Sequence, residues 1–134
     1  MTVPLNGQVI GQAERATRAV LDRLLARVGT PFEQWVALNL TAASGPITPA
    51  GLAGRLRIPL AGATAALSAL TAGGLLAADG TLTAAGRDRH AEITEGLAAI
   101  TDRLYGDLPA GDLAVAGRVL TLITARATAE LATP

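Results

Sequence analysis

Residues 58–78 read IPLAGATAALSALTAGGLLAA, twenty-one positions without a charged side chain. Such a run crosses a bilayer, fills a core or presents a helix to a partner, and the fold turns on which. Pro59, Gly62, Gly73 and Gly74 interrupt it, and its apolar content is mostly Ala. A spanning helix needs about twenty predominantly strongly apolar residues, so the membrane reading is set aside. What remains is a helix over residues 60–72, stopped by the Gly73-Gly74 pair.

Just upstream, SGP at 44–46 and RIP at 57–59 bracket a second short helix, ITPAGLAGRL at 47–56. Thr48 is its cap and Pro49 its first position, and Leu52, Ala53 and Leu56 follow. Ile58 precedes a proline and is biased away from helix, so the chain breaks there. Two helices parted by a break of about three residues make a helix-turn-helix. Further upstream, TPFE at 30–33 is a start signal: Thr30 caps, Pro31 opens, and Glu33 completes a capping box. That helix carries Phe32, Trp35, Val36, Leu38 and Leu40 as far as Ser44. Before it, Val9, Ala13, Ala16, Val20, Leu24 and Val28 recur at helical spacing over residues 8–28, ending at Gly29.

Downstream, LLAADGTLT at 75–83 predicts a small β-hairpin around an Asp79-Gly80 two-residue turn. Thr83 then caps a long helix over about 84–105, with Ile93, Leu97, Ile100 and Leu104 spaced 4, 3 and 4 along one stripe. GDLPAGD at 106–112 turns the chain into a last helix, about 112–131, bearing Leu113, Ala116, Val119, Leu120 and Ile123.

The whole, 134 residues long, is one domain of ordinary size, Ala- and Leu-rich and therefore mainly α. Its 11 basic residues are all Arg and balance 11 acids. The N-terminal third is mildly basic and the tail acidic. Absent Cys excludes disulfides, the usual structural zinc site and thiol-based sensing. Two Ser, one His and no Lys leave no nucleophile with a positioned base and no Walker-type phosphate loop, so an enzyme is not expected and no catalytic residue, metal or cofactor is assigned. The opening MTVPLNGQVIGQ has no basic start or apolar core, and a cytoplasmic protein without membrane contact is expected.

The segments TPFEQWVALNL, ITPAGLAGRL, ALTAGGLLA and LTAAGR, in that order and spacing, resemble the MarR family of bacterial transcription regulators. Leu52-Ala53, Gly74-Leu75-Leu76, and Leu82-Thr83 followed by Gly86-Arg87 carry most of the likeness, which extends over roughly residues 8–130. The resemblance implies a winged helix-turn-helix over 30–83 with a short β-hairpin wing, flanked by dimerisation helices at 8–28 and 84–131. It further implies a homodimer on a pseudo-palindromic double-stranded operator, and release by a small aromatic effector.

Two departures stand out. By the alignment, 60–72 is the recognition helix, yet its outward side is Ala61, Thr64, Ala65, Ser68, Thr71 and Ala72, without a charge. The wing is trimmed and carries Asp79 where the family has an Asp-Arg pair. Candidate DNA-binding residues are therefore Thr48, Arg55, Arg57, Thr64, Ser68, Arg87 and Arg89. With four Arg per subunit on phosphates, a dimer would show a log–log salt slope near about −7. Candidate dimer contacts are Val9, Val20, Leu24, Leu104, Leu113, Val119 and Ile123, and Trp35 with His90 is the candidate effector pocket. The alternative is a winged-helix dimer that has lost DNA binding and serves as an antirepressor-like interaction module or a small-ligand-binding module.

Overall fold

The structure, a computed structural model, describes residues 2–134. Six helices run through these residues: α1 Gly7–Arg27, α2 Phe32–Ser44, α3 Pro49–Leu56, α4 Leu60–Ala72, α5 Ala84–Tyr105 and α6 Ala110–Ala132. The chain falls into two compact units, one ending at Ala98 and one comprising Ala99–Pro134. No single helix among the described residues is long and apolar enough to cross a membrane.

Local chemistry explains most of the helix ends in the first unit. The Asn6 side chain accepts the Val9 N–H at 2.9 Å and starts α1. Thr48 does the same for α3 through the Gly51 N–H at 3.0 Å, with Pro49 in the first turn. Thr83 starts α5, accepting from the Gly86 N–H at 3.0 Å while its own hydroxyl donates to the Gly74 carbonyl at 2.6 Å. Helix α4 stops at Gly73, and Gly74 turns left-handed at φ 77°.

Thr30 does not cap α2. Pro31 takes the capping position without a side-chain bond, and Thr30 is 2% exposed with its hydroxyl engaged elsewhere. It donates to the Val28 carbonyl at 3.3 Å and accepts from Arg89 at 2.7 Å. A tertiary partner outcompetes the local cap.

The core of this unit has two parts. Ala37 and Leu38 of α2, Leu52 of α3, and Ala63, Ala66 and Leu70 of α4 pack with Leu75 and Leu76. Small residues at 63 and 66 let α4 lie close on α2 and α3. Truncating Leu38, Leu52 or Leu70 to Ala should cost about 2–5 kcal/mol each. The second part joins Leu25, Trp35 and Ile93, with Leu21, Leu24, Phe32 and Leu97 around it.

The expected β-hairpin is not formed as strands. Leu76 and Leu82 make one isolated antiparallel bridge, and no strand occurs among the described residues. The reason lies on both sides of the turn. Gly74 ends α4 and Thr83 begins α5, which leaves too few residues for a ladder. The turn is also one residue longer than the sequence pattern predicts. Ala77 donates to the Thr81 carbonyl at 2.8 Å, enclosing Ala78, Asp79 and Gly80. Gly80, at φ 87°, supplies the left-handed step such a three-residue loop requires.

The second unit is plainer. α6 has no buried residue, and Leu113, Val115, Leu120, Leu122, Ile123 and Leu131 are all exposed. A helix apolar on several sides is normally covered by something.

Candidate nucleic-acid interface

Helices α3 and α4 meet at a tight corner, Arg57-Ile58-Pro59. Arg57 is the one non-glycine among the described residues with positive φ, at φ 54° and ψ 47°. Glycine is the usual residue at such a helix end, since a Cβ costs about 1–2 kcal/mol there. The corner thus holds an exposed guanidinium in a backbone state that favours its removal. Arg55, two residues earlier on α3, is exposed too. Neither makes an ion pair among the described residues.

With Ala63, Ala66 and Leu70 turned into the core, α4 leaves its opposite side uncovered. Ala61, Thr64, Ala65, Ser68, Thr71 and Ala72 are all exposed, as their spacing predicts. The sequence pattern did not single out Leu60, which stands 57% exposed at the first position of α4. Its signal was available: it follows Pro59 and falls off the 63–66–70 stripe. The Thr71 hydroxyl is occupied by the Leu67 carbonyl at 3.1 Å, whereas Thr64 and Ser68 have no hydrogen-bonded partner among the described residues. Thr48 is exposed, with its oxygen engaged in capping.

The turn at 77–81 carries a negative charge at its tip. The Asp79 carboxylate accepts both the Thr81 hydroxyl, at 2.7 Å, and the Thr81 N–H, at 3.1 Å. The hydroxyl first, then the backbone bond, hold its pKa below the usual carboxylate value. Asp79 is therefore anionic at neutral pH. Beside the turn, Arg87 is exposed and donates to the Leu82 carbonyl at 3.2 Å.

Arg89 has a different position from that expected of a phosphate ligand. It is half-buried, and its Nη1 donates to the Thr30 hydroxyl. One turn of helix directs Arg87 to the turn beside it and Arg89 to the α1–α2 junction.

Trp35 and His90 come together as a stacked pair. Their rings stack with centroids 5.5 Å apart and planes 23° off parallel, and His90 Nε2 lies 3.0 Å from Asn39 Oδ1. Each ring occupies the other's face, and neither lines the depressions described below. One depression, of about 540 Å³, runs between the start of α2 and α4, past Glu33, Gln34, Ile58, Gly62 and Ala65. Another, of about 400 Å³, lies at the α1–α2 corner among Asp22, Leu25, Ala26, Thr30 and Phe32. Arg18 closes over the Phe32 ring at 3.3 Å and pairs with Asp22 at 3.2 Å, contacts to which the hydrophobic pattern is blind.

Among the residues expected at a dimer seam, Leu104, Leu113 and Ile123 are exposed, and Val9, Val20 and Val119 are half-buried. Leu24 is half-buried as well. It packs with the Leu25–Trp35–Ile93 group, close enough to Gly96 that a Cβ there would sit 2.8 Å from its methyl carbon.

Helix, helix, helix-turn-helix, bridged turn and two long helices form the frame of a winged-helix protein. No family model matches the sequence, and no curated protein matches it. Solved structures do. The transcriptional regulator PA3341 superposes with a TM-score of 0.79 at 25% identity, over 91% of this chain and 97% of that one. The DNA complex of the MarR family protein Rv2887 of Mycobacterium tuberculosis gives 0.75 at 23% identity, over 91% and 98%. The same protein with salicylic acid gives 0.73 at 23%, over 91% and 99%. The chain has the fold of MarR family regulators.

Proposed function

We propose that the protein is a DNA-binding transcriptional regulator of MarR type, a single functional domain that acts as a homodimer on a pseudo-palindromic operator. The observation that carries the reading is the open face of α4. Its other side is fully packed, it starts at a corner bearing Arg55 and Arg57, and the resemblance to MarR regulators puts it in the position of the recognition helix. Arg87 adds a third exposed cation beside the turn. Regulators among the neighbours support a non-enzymatic role.

Dimerisation rests on α6 and the end of α5. Leu104, Leu113, Leu120 and Ile123 present a solvent-facing apolar surface of a kind that marks interaction sites. Salicylic acid is the ligand in one Rv2887 structure, and the apolar α1–α2 depression falls within the usual size range of small-molecule sites, about 300–1,000 Å³.

A second reading has its own support. The groove between α2 and α4 is lined by Ile58, Gly62, Ala65 and Ala69, and with a charge-free helix it suits a protein partner in an antirepressor-like role.

Fluorescence anisotropy with the protein's own upstream DNA, at low and moderate salt, decides between them. The regulator reading expects preference over unrelated duplex and loss on Arg55→Ala plus Arg57→Ala. No binding even at low salt removes it and leaves the partner-binding reading.

A further inference from the structure

The chemistry of the exposed face of α4 narrows what this helix can read, granted the proposal that α4 enters the major groove. Guanine is read in the groove by Arg or Lys, adenine by Asn or Gln, and cytosine by Asp or Glu accepting from its amino group. None of those residues occurs anywhere in α4, LAGATAALSALTA. Its uncovered side offers instead the methyl groups of Leu60, Ala61, Thr64 and Ala65, with the hydroxyls of Thr64 and Ser68 between them. Of the four bases only thymine presents a methyl in the major groove.

The turn does not compensate. Its tip carries an ionised Asp79 and lacks the Arg that would enter a narrow minor groove. The exposed cations flanking α4 and the turn are Arg55 and Arg57 at the helix corner and Arg87 at the foot of the turn. Phosphate contacts position a protein without conveying sequence.

We infer that α4 recognises its half-site through thymine 5-methyl groups, packed on Leu60, Ala61, Thr64 and Ala65, so that the operator is defined by its pattern of T·A pairs and not by guanine contacts. Burying one methyl is worth about fourfold in affinity. A half-site read through two of them, doubled in a dimer, amounts to four methyls and roughly 250-fold over a methyl-free site.

The test is a selection from a random duplex pool followed by anisotropy on the selected site, made once with thymine and once with deoxyuridine. Deoxyuridine pairs identically but lacks the methyl. The inference expects T-rich half-sites and a loss of tenfold or more with deoxyuridine. Thr64→Ser, which removes a protein methyl and keeps the hydroxyl, should narrow that ratio. Arg57→Ala should weaken both duplexes equally. Specific binding that is indifferent to deoxyuridine, or a ratio untouched by Thr64→Ser, overturns the inference and leaves the regulator proposal standing. Failure to enrich any sequence removes both.

Discussion

The Arg89 guanidinium donates to the Thr30 hydroxyl at 2.7 Å, joining α5 to the α1–α2 junction across 59 residues of sequence. Thr30 is almost wholly enclosed, so the bond is made where water competes poorly. A charged donor to a buried acceptor contributes about 1.5–3 kcal/mol. Thr30→Val and Arg89→Met should each lower stability by an amount in that range, and the double variant by less than their sum, as measured by urea denaturation. DNA affinity of the folded Arg89→Met protein should keep its salt slope if this guanidinium stays on Thr30 in the DNA complex.

The slope itself is a prediction. With Arg89 withdrawn, Arg55, Arg57 and Arg87 remain of the four candidate phosphate ligands, so full engagement by a dimer gives a log–log slope of about −5. Titration of affinity against salt reads it directly. A slope at about −7 would return Arg89 to the phosphate set.

Arg57 should show opposed effects on stability and binding. Arg57→Gly relieves the left-handed backbone and should raise unfolding free energy by up to about 1 kcal/mol. The same change removes two cations per dimer and should flatten the salt slope by about 2. Denaturation and anisotropy on one sample check both signs.

Gly86 is a packing requirement. A Cβ at this position would collide with the Leu75 carbonyl oxygen and crowd Leu82. The obstacle is backbone, so α5 must move away from the α4–turn junction. Gly86→Ala should cost at least about 2 kcal/mol despite the better helix propensity of Ala, visible as a drop in thermal midpoint.

Asp79 gives the pH dependence. Its pKa in the fold is depressed by the Thr81 hydroxyl and N–H, so its contribution is present above the unfolded carboxylate value and is lost as pH falls through the folded one. That window lies in acid, below about pH 4. An NMR titration should find its midpoint low, and Thr81→Ala should move it back up.

The dimer proposal stands on α6. Leu120→Arg with Ile123→Asp places charge on the exposed apolar face and should leave the first unit folded, with α6 unable to associate. Sedimentation should report a dimer for the parent chain and a monomer for this variant.

Much of this protein was legible in its residues because the signals are local. Pro49 and Thr48 start α3 wherever they stand, Gly74 stops α4, and the 63–66–70 spacing puts Thr64 and Ser68 outside. Thr83 caps α5 as expected. The turn was less legible because its length depends on what flanks it: the Asp79-Gly80 pattern suits two residues, but the ends of α4 and α5 leave three and a lone bridge.

At the interface, sequence spacing placed Arg55, Arg57 and the open face of α4, since one turn of helix decides which side chains point out. It did not separate Arg87 from Arg89, two residues apart with the same charge. Their different directions mattered only once α5 lay beside Thr30, a neighbour no local window contains. Nor did it foresee that Trp35 and His90 would fill each other's space, or that Leu24 would turn toward Gly96. Helix identity, helix ends and the neutrality of α4 follow from the order of residues, through hydrogen bonds and sterics acting within a few positions. Which cation is free, which ring is covered and which Leu packs against Gly96 were decided by packing between distant segments, where burial makes each polar group take the partner that happens to be near.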